Sequence, residues 1–294
     1  MDRKVKKILS SKPTLEGAGV LVNRAFGGYA TASMFDPFLL LDDFGSKNPH
    51  EYIMGFPWHP HRGIETITYL LKGEVHHEDS TGNKGVISSR DAQFMTAGSG
   101  IFHAEMPKPM KINDKIEPEV RGVQLWYNLS SKDKMSKPKY SNLSKEDIPE
   151  VRLDNGINVR VLSGSIQAPY FGTIKNLSSD MLYLDIDMNN EEFVYDIRSG
   201  YTVLAYVLEG KGFFNDTIAN ARDIVLYSRE GERIRIKSHE HMHLLLISAK
   251  PLNEPIAWYG PIVMNTQEEI VKALQDLKNN EFVKDEPSFD DLRY

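Results

Sequence analysis

The chain contains no cysteine. That excludes disulfides, thiolate zinc sites, iron–sulfur clusters and cysteine nucleophiles. No apolar run is long enough to span a bilayer. The opening Met1-Asp2-Arg3-Lys4-Val5-Lys6-Lys7-Ile8-Leu9 is basic, but no apolar signal core follows it. The expected location is therefore the cytoplasm, with no membrane partner. An excess of positive charge is missing too, with 35 Lys and Arg against 41 Asp and Glu and a formal net charge of -6 at pH 7. This balance carries no electrostatic footprint for nucleic acid.

What is present is an ordinary globular composition, 40% hydrophobic and 26% charged over 294 residues, enough for one large domain or two of common size. Short β-branched and aromatic runs end repeatedly in glycine turns. Examples are Ile64–Leu71 before Lys72-Gly73, Val120–Leu129, and Thr202–Leu208 before Glu209-Gly210. Many short strands of this kind predict an all-β sandwich or barrel. One helix is expected near the end, where Thr266-Gln267-Glu268-Glu269 forms a capping box and Ile270, Leu274 and Leu277 follow at helical spacing. The polar stretch between Ser130 and Glu150 reads as a connecting arm. The expected division is residues 1–135, a linker at 136–150, and a second domain at 151–294.

Two stretches carry the chemistry. Phe56-Pro57-Trp58-His59-Pro60-His61-Arg62-Gly63-Ile64-Glu65-Thr66 holds two histidines two residues apart. Gly98-Ser99-Gly100-Ile101-Phe102-His103-Ala104-Glu105 pairs a histidine with a carboxylate at the same spacing. In a strand, residues i and i+2 point to one face. Two such strands facing one cavity would bring His59, His61, His103 and Glu105 together. Three imidazoles and a carboxylate suit a divalent first-row transition metal, iron(II) first, and can leave positions open for substrate or oxygen. His76 and His77 would point to opposite faces of an extended segment, so both cannot serve one metal.

The second half echoes the first, with Tyr206-Val207-Leu208-Glu209-Gly210 matching Tyr69-Leu70-Leu71-Lys72-Gly73. Carried back in that register, His59 and His61 become Asp196 and Arg198, so the second half has lost the metal site. Ser238-His239-Glu240-His241-Met242-His243 would put three histidines on one strand face. The expectation there is a half-exposed strand edge leading into the core run Leu244–Ile247.

Over nearly its whole length the chain resembles the pirin family of bicupins. The resemblance is carried by Asp36-Pro37-Phe38-Leu39-Leu40-Leu41-Asp42, by His59-Pro60-His61-Arg62-Gly63-Ile64-Glu65-Thr66, and by Thr96 through Pro107. Gln124-Leu125-Trp126-Tyr127-Asn128-Leu129 and Lys132-Asp133-Lys134-Met135 fit as well. The resemblance implies two cupin, jelly-roll type β-barrel domains packed face to face. It implies one iron site in the first, held by His59, His61, His103 and Glu105, and none in the second. Glu65, where many other cupins carry a glutamate ligand, is then a supporting residue. The implied activity is that of a quercetin 2,3-dioxygenase, an oxidoreductase that takes a flat flavonol and dioxygen. The alternative is a non-enzymatic, redox-sensitive iron protein that binds a protein partner as a transcription cofactor. In the enzyme reading Glu105 is the base. Phe56, Trp58 and Phe102 are candidate walls for an aromatic substrate, and Arg62 either steers an anionic substrate or pairs with Glu65.

Overall fold

The computed structural model describes residues 1–80, 82–174, 180–285 and 288–289. The chain is all-β with a carboxy-terminal helix, as expected. It divides into two compact units that exchange their termini. One comprises Lys12–Lys145 with Asn253–Tyr294, the other Met1–Ser11 with Glu146–Leu252. The contiguous division at 135 and 150 differs from this, because each end of the chain joins the other half's unit. The first strand, β1 (Val5–Ser10), belongs to the second unit.

The histidine-bearing unit continues with β2 (Lys12–Glu16), β3 (Val20–Gly27), α1 (Tyr29–Phe35) and β4 (Phe38–Ser46). Then come β5 (Phe56–His61), β6 (Ile64–Lys72), β7 (Glu74–Asp79), β8 (Lys84–Ser88), β9 (Ala92–Thr96) and β10 (Ile101–Lys108). A small hairpin, β11 (Met110–Ile112) and β12 (Lys115–Glu117), precedes β13 (Val120–Asn128) and β14 (Lys139–Leu143). The large sheet runs β2-β3-β4-β13-β6-β9-β14, with Ser288–Phe289 added at its edge; the small sheet runs β5-β10-β7-β8. Helix α1 was not expected from the Gly27-Gly28 turn. It is short and is held by Ala32 and Phe35, the latter stacked on Phe26 with ring centroids 4.0 Å apart.

The register gives this unit an unusual interior. Across the large sheet Arg24 lies opposite Asp42, Asp42 opposite Gln124, Gln124 opposite Thr68, Thr68 opposite Gln93, and Gln93 opposite Asn142. Opposite residues on neighbouring strands share a face, so these six form one polar belt. On the small sheet the corresponding row is Phe56, Glu105, His77 and Gly85. Hydrogen bonds from Gln124 and Thr68 to Glu105 show that the rows face each other. Apolar layers lie on either side: Val20, Val22, Phe44, Leu70 and Val75 in one cluster, Leu39, Ile64, Met95 and Ile101 in another. A buried polar belt is tolerated only where its members satisfy one another, and the bonds Arg24–Asp42, Gln124–Thr68 and Gln93–Asn142 do so.

The second unit contains β15 (Glu150–Arg152), β16 (Asn158–Ser163), β17 (Ser165–Gln167), β18 (Tyr170–Phe171), β19 (Met181–Asn189) and β20 (Glu192–Asp196). These are followed by β21 (Thr202–Glu209), β22 (Lys211–Phe214), β23 (Thr217–Asn220), β24 (Asp223–Tyr227), β25 (Arg233–Ser238) and β26 (His241–Ala249). One sheet is β1-β24-β21-β26-β19-β16-β15 and the other β20-β25-β22-β23. Its interior is aliphatic, with Val159, Val161, Leu184, Ile186, Val207, Leu244 and Leu246 in one cluster. Strand β1 is fastened by Arg3, whose guanidinium donates to the carbonyls of Arg198, Tyr201, Ser228 and Gly231.

Residues 253–294 rejoin the histidine-bearing unit through β27 (Ala257–Tyr259), β28 (Ile262–Met264) and α2 (Gln267–Lys278). The capping box forms as expected, with Thr266 Oγ1 accepting from the Glu269 backbone N–H and Glu269 accepting from the Thr266 N–H. Ile270 and Ala273 are buried, and Leu274 and Leu277 pack beside them on Phe102 and Phe282. Among the described residues no helix is long and apolar enough to cross a membrane.

Candidate metal centre

A bulge builds the site. Strands β5 and β10 pair Ile101 with His61, Phe102 with Pro60 and His103 with His59, and then the register shifts so that Glu105 faces Phe56. Pro57 and Trp58 together stand opposite Ala104, which is the signature of a β-bulge. The extra residue puts Phe56 and His59, three apart in sequence, on one face with His61, His103 and Glu105. It turns Trp58 out of the barrel, where it is 51% exposed.

Three histidines converge. The ligand atoms of His59, His61 and His103 all lie within 4.8 Å of one another, the one such group of three or more among the described residues. His59 Nε2 and His103 Nε2 are 2.9 Å apart. His59 Nδ1 donates to Pro57 O at 2.8 Å and His61 Nδ1 donates to Pro261 O at 3.2 Å. A ring whose Nδ1 carries the proton presents its lone pair on Nε2. Two facing Nε2 atoms at this separation need a cation or proton between them. Burial pushes His61 and His103 well below the ordinary histidine range, with His59 adding to the effect, so both rings are neutral and able to ligate. The donor set therefore fits a divalent transition metal.

Glu105 is not in that group. It is 5% exposed, on the same wall as His103, and it is held by other residues. Gln124 Nε2 donates to both carboxylate oxygens, at 3.3 and 3.1 Å, and Thr68 Oγ1 donates to Oε1 at 3.3 Å. Trp126 Nε1 donates to Gln124 Oε1 at 3.1 Å. An indole N–H can only donate, so the Gln124 amide must turn its NH2 towards Glu105. Burial raises the Glu105 carboxyl, opposed by His59 and by the bonds from Gln124 and Thr68. Trp126 also packs edge-on against His61, ring centroids 4.9 Å apart.

The remaining candidates are dispersed. Phe56 lines a small pocket with Glu105, Gln124, Val22, Phe44 and Val75. Phe102 points away from the histidines and packs on Phe282. Glu65 lies on the other face of β6 from Thr68, 2% exposed, and accepts from Thr96 Oγ1. Arg62 does not pair with Glu65. Its guanidinium is 2% exposed and donates to Ser99 O, Asp276 Oδ2 and Phe282 O, each at 2.7 Å. The bond to Ser99 ties the turn after His61 to the turn before His103. The pairing with Asp276 is invisible to local reading, because the residues are 214 positions apart. Gln124 and Thr68 were missed as well. Their signal was a polar side chain at alternate positions inside otherwise apolar strands.

In the second unit Asp196 pairs with Arg233, and Arg198 with Asp180, at exposed positions. His241 and His243 lie on one face of β26 and bond Asp187 and Asp185, while His239 sits in the preceding turn against Phe213.

The chain matches the profile described as Pirin over residues 19–127, and that described as the pirin C-terminal cupin domain over residues 183–283. A Pseudomonas aeruginosa protein provisionally named a quercetin 2,3-dioxygenase is 38% identical over 94% of this chain and 97% of its own length. Human pirin is 37% identical over 94% and 93%. A crystal structure of quercetin 2,3-dioxygenase from Acinetobacter baumannii superposes with a TM-score of 0.87 at 33% identity, covering 96% of this chain and 99% of that one. Fold, profiles and relatives agree: two cupin-type units make up this chain, and it belongs to the pirin family.

Proposed function

We propose that the protein is a metal-dependent dioxygenase that cleaves flavonols such as quercetin with release of carbon monoxide. One observation carries the reading: three converging imidazoles share a wall with a buried carboxylate that other side chains hold in place. The names of two relatives, at 38% and 33% identity, support it.

His59, His61 and His103 would hold the metal, iron(II) first among the divalent candidates, with Glu105 as the carboxylate on the same wall. The metal, when bound, supplies a Lewis acid for the deprotonated 3-hydroxyl. Glu105 takes that hydroxyl proton. Gln124 and Thr68 orient its carboxylate and keep it an acceptor. Pro57 O and Pro261 O fix the tautomers of His59 and His61. The apolar layers on both sides of the belt exclude water.

The test is aerobic quercetin loss and carbon monoxide release with iron(II)-loaded protein, chelated protein and a His59→Ala variant. Activity confined to the loaded parent is the expected result. No turnover in any sample, with metal bound by the parent and lost in the variant, moves the function to a metal-dependent regulator that binds a protein partner.

A further inference from the structure

One buried charge in the histidine-bearing unit has no part in the proposed reaction. Lys134 stands in the turn after β13, within the Lys132-Asp133-Lys134-Met135 run, and is 1% exposed. Its ammonium donates to Gly63 O at 2.9 Å, to Val263 O at 2.8 Å and to Asn128 Oδ1. An ammonium has three N–H donors and no acceptor, so these three oxygens satisfy it. Burial pushes Lys134 down to about 7, against the pull of Glu254 and Glu269. A buried cation is costly unless it is fully bonded, and here three separate segments supply the bonds.

The two carbonyls stand in matching positions around one imidazole. Gly63 follows His61 by two residues. Val263 follows Pro261 by two, and Pro261 O accepts the His61 Nδ1–H at 3.2 Å. Lys134 therefore bonds both the segment that carries the ring and the segment that carries its acceptor. Backbone pairing between these segments is an isolated bridge, Arg62 with Ile262, beside which the Val263 N–H donates to Arg62 O at 3.1 Å. A bridge of that length resists sliding poorly, and the ammonium crosslinks the segments one residue further on.

Gly63 makes room for the lysine stem, since a Cβ there would lie 2.9 Å from Lys134 Cδ. The same turn also reaches the segment before His103. Ser136 O accepts from the Ser99 N–H at 2.8 Å, and the Gly63 N–H donates to Gly98 O at 2.9 Å. Resting on the metal-centre reading, we propose that Lys134 is a positioning residue, which fixes the separation of the His61 backbone from Pro261 and so aims His61 Nε2 at the metal.

The test uses cobalt(II) as the probe, at about pH 6.5, where the ammonium prevails. Affinity is measured by competition with a chelator. The His61 Nδ1–H is followed as a hyperfine-shifted, solvent-exchangeable proton resonance, assigned through its proximity to the Trp126 ring. Lys134→Met removes every donor, and Lys134→Gln serves for the same comparison should the methionine prevent folding. Leu184→Ala, in the aliphatic cluster of the second unit, controls for lost stability alone.

Cobalt(II) affinity is expected to fall about ten- to a hundredfold in Lys134→Met, as for other residues that orient a ligand. Its His61 resonance shifts and exchanges faster, while the His59 resonance stays in place. Lys134→Gln recovers part of the affinity, and Leu184→Ala keeps it with both resonances unmoved. A Lys134→Met protein that keeps parental affinity, or whose affinity falls with the His61 resonance unmoved, overturns the inference while cobalt(II) binding by the parent still stands. So does a Leu184→Ala protein that weakens cobalt(II) as much. A parent that binds no cobalt(II) overturns the metal-centre reading and this inference with it.

Discussion

Trp126 donates its indole N–H to Gln124, and Gln124 passes the polarity on to Glu105. The direction of every bond in this chain is fixed by its first member. Replacing Gln124 with Leu leaves the buried Glu105 carboxylate with Thr68 as its remaining donor, and is expected to destabilise the protein by about 1–3 kcal/mol. Gln124→Glu places a second carboxyl against Glu105 and is expected to be worse. Urea unfolding of the metal-free proteins checks the order; equal stability of all three would show that the chain does not hold Glu105.

Buried neutral histidines make the metal-free protein acid-sensitive. His77 sits at about 4 in the folded state, below its ordinary value of about 6.5. Between these values the unfolded chain binds the proton more readily, so stability rises with pH through this window and the gain is complete above it. For His77 the span corresponds to about 3 kcal/mol. His61 and His103, pushed the same way by burial, add to it. Glu105, raised by burial, acts in the opposite sense, because its contribution is lost as pH climbs through its folded value. Melting curves at pH 4.5 and 7.5 should show a smaller difference in His77→Phe than in the parent.

Arg62 and Asp276 form a buried ion pair at 2.7 Å. Removing one partner strands the other, and Asp276→Ala is expected to cost about 3–5 kcal/mol. Because Arg62 follows His61 and reaches Ser99, metal affinity should fall as well. Chemical unfolding and metal titration measure the two effects; a variant as stable as the parent would refute the pairing's role.

Metal should stabilise the folded protein. At a free concentration about a thousandfold above the dissociation constant the gain is about 4 kcal/mol. A rise in melting temperature is expected for the parent with iron(II) under argon, and none for His103→Ala.

Gly63 has φ +76°, and a Cβ there would lie 2.0 Å from Val263 O. Gly63→Ala must therefore move β28 away from the turn after His61. It is expected to cost more than the roughly 1 kcal/mol of the left-handed backbone alone. A melting temperature unchanged from the parent would show that β28 yields freely.

The elements that could be read from sequence were those set by local composition and capping. Runs of β-branched and aromatic residues marked β6, β13 and β21, and the capping box marked α2, because local chemistry decides them. The His-x-His and His-x-Glu spacings pointed to a shared cavity because a strand repeats every two residues. The same rule would set Phe56 on the face opposite His59, but the bulge at Pro57–Trp58 inserts a residue that spacing cannot reveal and brings Phe56 onto the histidine face. Arg62 was assigned to substrate or to Glu65 because its partner lies on a helix whose docking is set by tertiary packing. The polar belt from Arg24 to Asn142 needs the register of six strands at once, and no single strand displays it.

The exchange of termini sets an order on synthesis. His59, His61 and His103 leave the ribosome well before Pro261 and Asp276 exist. Yet the carbonyl that orients His61 and the carboxylate that neutralises Arg62 come from those late residues. Between the synthesis of His103 and that of Asp276, a nascent chain thus carries its three imidazoles without the parts that fix them.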